Sequence, residues 1–257
     1  MQKIEIPKEL LNIQNPPKEL FALGDISLLK KRKIAIVGSR KASFYAKEMT
    51  KKIANELSLR DVVVVSGGAM GIDASAHYGA FPNTIAILAT SLDNLYPKIN
   101  EKLLFDISKK GLLLSEYEVG AKITKYSFVL RNRLVVGLCD ALIIAEADTD
   151  SGSLRSAEFA QSFNKPIYVL PHRLGESLGT LDLVKNDKAK TVFDIDEFCN
   201  IWGSKNVESS LNAKDEIIEF CKCNSNLNIC LEKFGDKIYE YEIEGKIKIS
   251  QMKVIVS

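Results

Sequence analysis

The chain lacks the marks of a membrane-spanning, secreted or repeat protein. No apolar run reaches the roughly 18 residues that a helical span needs, and the longest candidate, 134–147, carries Asp140 and Glu146. The N-terminus has no apolar signal segment, and five cysteines at 139, 199, 221, 223 and 230 make an odd set. Together these predict reduced thiols in a cytosol. Scattered cysteines read as small buried hydrophobes. The Cys221/Cys223 pair has no second ligand pair nearby, which argues against zinc. There is no repeat of 20 to 50 residues and no low-complexity tract. A strong net charge is missing too: the formal value is +2, so any contact with a polyanion must come from a local patch and not from a global field.

What is present is a rhythm. The 257 residues, 46% hydrophobic and 26% charged, can bury a full core. From Lys33 onward strand-like runs alternate with helix-like segments: 34–37 then 44–59, 62–65 then 71–80, 84–88 then 100–110, 112–114 then 130–138, 141–145 then 153–163, and 167–170. That alternation predicts βαβ units in a doubly wound, mostly parallel α/β sheet, with ligands at the carboxyl ends of its strands. Residues 1–30, with Pro7, Pro16 and Pro17, read as an irregular lead-in packing on a core domain at 31–203. A polar linker at 204–212 then leads to a small unit at 213–257, where short helices (214–222, 227–234, 236–241) precede two strand-like runs (246–249, 253–256), a winged-helix-like order. From Ser204 onward eight lysines face nine acids, a net −1. A duplex-reading domain carries a basic face, so a protein-contact role is expected of this unit.

Four segments fall at the carboxyl ends of predicted strands. Gly38 and Ser39 make a tight turn that carries Arg40 into the crevice, where its planar fork suits phosphate; the bland alternative is a surface arginine paired with an acid. "VVVVSGGAMGIDASAH" (62–77) is a buried strand followed by Ser66, Gly67, Gly68 and Gly71 opening a helix, an arrangement that aims N–H groups at an anion. It is neither a phosphate loop nor the dinucleotide fingerprint. Asp73 and His77, four apart, share a helix face and could pair there. A Ser66–His77–Asp73 hydrolase triad lacks the G-x-S-x-G elbow.

"AKITKYSFVLRNR" (121–133) is the third. It is read as a loop with Lys122, Lys125, Arg131 and Arg133 and no acid, interleaved with Tyr126 and Phe128, the mixture that single strands require. Its alternative has Phe128 in the core and the cations solvated. In the fourth, Ser151, Gly152 and Ser153 cap and open a helix and present further N–H groups, or cap it without any ligand. Two anion-suited turns, an arginine and a basic aromatic segment at one sheet edge fit a polyanion.

Taken together, "IAIVGSR" (34–40), "VSGGAMGIDASAH" (65–77), "LDNLYP" (92–97), "GLLLSEY" (111–117), "RNRLVVGL" (131–138), "EADTDSGSL" (146–154) and "VLP" (169–171) resemble the bacterial DNA-processing protein A family of natural transformation, in order and over about residues 6–200. The chain departs from the family pattern at Pro171-His172 (usually Pro-Gly), at Leu181 (an Asn turn) and at Phe128-Val129 (Phe-Pro). The resemblance implies a Rossmann-like domain that binds and protects single-stranded DNA, helps load a RecA-type recombinase and forms a homodimer, with no catalysis, cofactor or metal and no membrane partner. It implies a pocket of Gly38, Ser39, Arg40, the turn from Ser66, Lys122, Lys125, Phe128, Arg131, Arg133 and Ser151–Ser153. In that pocket Arg40, Arg131 and Arg133 neutralise backbone charge and Phe128 stacks on a base, while Asp73, His77, Asn132 and Glu146 fix the loops. The alternatives are a phosphoribohydrolase-like nucleotide-processing enzyme, whose P-G-G-x-G-T-x-x-E signature is missing from "DSGSLRSAE", and a nucleotide sensor using Asp93.

Overall fold

Residues 1–121, 124–205, 216–235, 237–243, 245–250 and 252–256 are described by the computed structural model, and the chain divides into two compact units, 1–205 and 206–257. The first unit contains strands β1 (Gln2–Ile4), β2 (Leu20–Gly24), β3 (Lys33–Val37), β4 (Val63–Ser66), β5 (Thr84–Leu88), β6 (Leu112–Ser115), β7 (Ala141–Ile144), β8 (Ile167–Val169) and β9 (Lys190–Thr191). Its helices are α1 (Lys8–Leu11), α2 (Phe44–Ser58), α3 (Ile72–Ala80), α4 (Glu101–Lys110), α5 (Lys125–Gly137), α6 (Leu154–Ser162), α7 (Leu178–Lys185) and α8 (Ile195–Trp202). The strands form one sheet in the order β1-β2-β6-β5-β4-β3-β7-β8-β9. All neighbours from β6 to β9 pair in parallel, which makes this a Rossmann-like α/β fold.

The two-residue period of a strand decides the layers, because successive side chains leave the sheet on opposite faces. Ala35 and Val37 of β3, Val63 and Val65 of β4, and Leu142 and Ile144 of β7 pack beneath α5 and α6. Ile34 and Ile36, Val64, and Ala141 and Ile143 pack against α2, α3 and α8 on the other face. Strands buried on both faces must be apolar throughout, which is why these runs show no polar alternation.

The lead-in is not irregular. β2 pairs antiparallel with β6, from Phe21↔Ser115 to Gly24↔Leu112, and β1 pairs antiparallel with β2. Pro7, Pro16 and Pro17 lie outside both strands, so their missing N–H groups cost no ladder bond. The basic stretch is likewise not a loop, since α5 starts at Lys125 and not near 130. A capping box nucleates it there: Ser127 N donates to Thr124 Oγ1 (3.3 Å) and Thr124 N to Ser127 Oγ (3.2 Å).

The second unit consists of α9 (Glu216–Cys223), α10 (Leu227–Phe234), α11 (Lys237–Ile243) and an antiparallel hairpin of β10 (Ile247–Ser250) and β11 (Lys253–Val256). Ile217, Cys221, Leu227, Cys230, Ile238, Ile247 and Val254 form its core. The expected linker lies, beyond Lys205, outside the described residues. Among the described residues no helix is long and apolar enough to cross a membrane.

Leu20, fully buried, joins β2 to the core shared with Leu114 and Leu134. Leu20→Ala is therefore expected to lower unfolding free energy by about 2–5 kcal/mol in urea titration; a change below about 0.5 kcal/mol, the range of surface substitutions, would mean that the segment merely adheres.

Candidate nucleic-acid interface

From β3 the chain runs outward one way through β4, β5 and β6 and returns to the other side of β3 as β7. The carboxyl ends of β3 and β7 thus flank the crevice where loops of a doubly wound sheet diverge. Ser39 N donates to the Glu146 carbonyl across that gap (2.8 Å). The Glu146 carboxylate accepts from Ser43 N (3.1 Å to each oxygen) and from Ser43 Oγ (2.5 Å). Ser43 in turn caps α2 by accepting from Ala46 N at 3.2 Å. Glu146 therefore welds the loop after β7 to the loop after β3, and Arg40 projects from that weld. Its side chain is exposed, with Cζ 6.0 Å from the Phe128 ring centroid. The arginines that form ion pairs among the described residues are Arg60, Arg133 and Arg155; Arg40 is not paired with an acid.

The turn after β4 is held from inside at each carbonyl. Asn100 Nδ2 donates to Gly68 O (3.0 Å) and Ala69 O (2.9 Å). His77 Nε2 lies 2.6 Å from Gly67 O and Nδ1 lies 2.8 Å from Thr84 Oγ1. Burial pushes the His77 pKa down to about 4, so the ring is neutral at pH 7. Nε2–H then donates to the Gly67 carbonyl, while Nδ1 and the Val64 carbonyl, each 2.8 Å from Thr84 Oγ1, compete for the one hydroxyl proton. Asp73 accepts from Ala69 N at 3.3 Å. Asp73 and His77 thus do not pair with each other, because each is drawn to the turn. Ser66 donates to Ile36 O (2.6 Å) and is fully buried, so no hydrolase triad forms. Gly71, at φ +78°, lies against Ser39 and Arg40, whose carbonyl oxygens a Cβ would overlap. The N–H groups of Gly68 and Met70 find no acceptor among the described residues.

Under Gly67 sits the Arg131 guanidinium, so close that a Cβ at Gly67 would overlap it. Arg131 is 5% exposed; it donates to Ile87 O and, through Nε, to Asn132 Oδ1 at 3.2 Å. Burial lowers its pKa, the nearby Asp73 carboxylate opposes that, and Arg40 adds to it. Burial raises the Asp73 carboxyl, against the pull of Arg131. Two cations, Arg40 and Arg131, thus share the crevice with the buried Asp73 carboxyl group and the Glu146 carboxylate.

Not every expected contact survives in this form. Arg133 is 5% exposed and its fork is spent on Glu116, with Nη1 donating to Oε1 (2.9 Å) and Nη2 to Oε2 (2.6 Å) while Nε donates to Asn15 O (2.7 Å). It ties α5 to the loop after β6 and is not available to a DNA backbone. Arg131 lies against the Gly67 end of the turn and is likewise enclosed. The serine turn also differs: Ser153 precedes α6 without a side-chain cap, and Ser151 Oγ accepts from Ser153 N (3.3 Å). The N–H groups of Leu154, Arg155 and Ser156 are spent on the carbonyls of Ser151, Gly152 and Ser153, so the helix start offers few free donors. No hydrogen bond joins this turn to the glycine turn among the described residues. Lys122 lies outside the described residues, as does the side chain of Lys125, the first residue of α5. Phe128 is half-buried beside Arg40. Tyr96, which stands only inside the "LDNLYP" motif in the sequence, is 50% exposed and meets Phe128 edge-on at 5.8 Å.

His77 generates a pH prediction. In the unfolded chain it ionises near 6.5 and in the fold near 4. Acidification through that interval protonates the unfolded chain first, so stability falls from pH 6.5 to 4 by about 3 kcal/mol and no further below. The raised Asp73 carboxyl works in the opposite sense but is shared by the variant. Urea unfolding of wild type against His77→Gln across this range is expected to show the acid loss only in wild type; parallel profiles would refute it.

Residues 1–203 match the family model described as DNA recombination-mediator protein A. The chain is 39% identical over 175 residues to DNA processing protein DprA of Streptococcus pneumoniae, covering 67% of this chain and 62% of that protein. It is 37% identical over 191 residues to protein Smf of Synechocystis, covering 71% and 48%. The match thus spans about half to under two thirds of the length of these curated relatives. The solved DNA processing protein A of Helicobacter pylori, described for its single-stranded DNA binding mode, is similar at TM-score 0.76 and 44% identity over 78% of this chain and 94% of that one. The Streptococcus pneumoniae structure reaches TM-score 0.73 at 35% identity, over 79% and 74%. With loops after β3 and β4 that carry the matched motifs and a family match over four-fifths of its residues or close to it, this chain belongs to the DNA recombination-mediator protein A family.

Proposed function

We propose that this protein binds single-stranded DNA in the crevice at the carboxyl ends of β3 and β4, protects incoming DNA in natural transformation and helps load a RecA-type recombinase onto it, as a cytoplasmic homodimer without catalytic chemistry. The observation that carries the reading is the pairing of an exposed Arg40, with no ion-pair partner among the described residues, with the half-buried Phe128 ring at 6.0 Å. A guanidinium answers a phosphate and an aromatic face answers a base, and a single strand presents both within one nucleotide. A duplex keeps its bases stacked inside and cannot reach the ring.

The N–H groups of Gly68 and Met70, without an acceptor among the described residues, are candidate donors for phosphate oxygen, and Arg131 against the neighbouring Gly67 raises the potential of the turn. Lys122 and Lys125 extend the basic side of the same reading. The Helicobacter pylori relative supports it by the ligand it was described with. The small C-terminal unit, taken as winged-helix-like, serves protein contact in this scheme.

Fluorescence anisotropy with a labelled oligonucleotide, single- or double-stranded, tests the proposal at two salt concentrations. Wild type is expected to prefer the single strand and to weaken as salt rises, with Arg40→Ala reducing the log–log salt slope by about 0.7, one phosphate contact on a single strand. Unchanged affinity and slope in Arg40→Ala and Lys122→Ala would remove the site assignment. No binding by wild type, together with thermal stabilisation by nucleoside monophosphates, would instead favour the nucleotide-processing reading.

A further inference from the structure

Tyr96 is an exposed aromatic with no role in the site as derived so far. Its ring is 50% exposed and its hydroxyl has no hydrogen-bond partner among the described residues, so nothing intramolecular explains a tyrosine there except its edge contact with Phe128. Yet its backbone is held firmly. The carbonyl of Tyr96 lies against Gly68, and the side chain of Asn100, three residues beyond Pro97, donates to both Gly68 O (3.0 Å) and Ala69 O (2.9 Å). The loop that carries Tyr96 is thereby fastened to the glycine turn, and Arg40 approaches the same Phe128 ring, at 6.0 Å from its centroid. A large apolar ring kept half in water on a rigid loop beside a cationic crevice is suited to stacking, since little further order is lost when a partner arrives.

The angle between the two rings sets what they can hold. Their centroids are 5.8 Å apart and their planes are inclined by 61°, which leaves no slot for one base sandwiched between parallel faces. Two rings set at a corner present two separate faces in different directions. We infer that Tyr96 is a second base-stacking ring, so that the site takes two unpaired nucleobases in turn, one on Phe128 and one on Tyr96, with the strand kinked between them. This rests on the proposed single-strand reading and deepens it. It also makes the site selective against duplex, because a kinked step with both bases turned outward has no counterpart in a stacked helix.

The test is a double-mutant cycle on the full chain, with affinities measured for a thymidine oligonucleotide and for an abasic one of the same length. Tyr96→Ala and Phe128→Ala are each expected to weaken binding of the thymidine strand by about 5- to 150-fold, the range of one stacked base. Their effects should multiply in the double variant, as for independent contacts. Tyr96→Phe should retain affinity within about twofold, since stacking and not the hydroxyl is at work. The abasic strand should bind all variants alike. If Tyr96→Ala is silent in the Phe128→Ala background, Tyr96 only props Phe128 and the inference falls while the single-strand site stands. If wild type binds the thymidine and abasic strands equally, neither ring stacks and the inference is overturned with affinity left to the cations. If wild type binds neither strand, the functional reading itself fails and the inference with it.

Discussion

A guanidinium buried beneath a peptide turn is the constraint on which the rest of the site depends. Arg131 reaches from α5 under the end of β4, where its group touches Gly67 and donates to Ile87 O. A charge taken from water at that depth is tolerated only when its donors are satisfied and some opposite charge is near. The surrounding residues go part of the way: the Ile87 carbonyl and Asn132 accept two of its N–H groups, and Asp73 supplies a carboxyl group nearby. Glycine above it leaves the guanidinium its space, because a Cβ at that position would overlap the group unless Arg131 shifted.

The same constraint organises the loops. With Gly67 pressed from below, its carbonyl is held by a neutral His77, and the next two carbonyls by Asn100. Carbonyls held in this way fix the path of the turn, and the N–H groups of Gly68 and Met70 are left without an acceptor among the described residues. Glu146 performs the corresponding task for the neighbouring loop by fastening Ser39 and Ser43, so that Arg40 leaves from a fixed base. The crevice is thus preorganised by inward-facing polar groups, while the groups proposed to meet a ligand, Arg40, Phe128 and Tyr96, are exposed or half-buried. Preorganisation of this kind spares the complex part of the ordering cost of binding.

How far the sequence could be read follows the range of each interaction. The strands from β3 to β8 and the helices between them were legible because apolar runs of a few residues and the glycine turns carry their signal within a short window. The start of α5 was present locally too, in the spacing of Thr124 and Ser127, yet four nearby cations made the stretch read as a loop. The lead-in was misjudged because its prolines mark the connections, whereas the identity of Leu20–Gly24 as a strand depends on β6, some ninety residues later in the chain. At the serine turn Ser153 does open the helix, but the number of free donors is not legible locally: it depends on whether the first turn tightens, and three carbonyls there take the N–H groups of Leu154, Arg155 and Ser156.

By itself the sequence determined the α/β alternation, the glycine turn, the arrival of Arg40 at the carboxyl edge of the sheet and the family to which these motifs belong. All rest on period, turn chemistry and ordered spacing, which are properties of neighbouring residues. Only the tertiary structure decided which cations meet solvent. Arg131 and Arg133 stand two residues apart in a basic run and look like a solvated face, but one is enclosed by Gly67 and Ile87 and the other by Glu116 and Asn15. It also brought Tyr96 beside Phe128. The burial of a charge, and the meeting of two rings from different loops, are set by segments distant in sequence that pack against one another, and no local pattern records them.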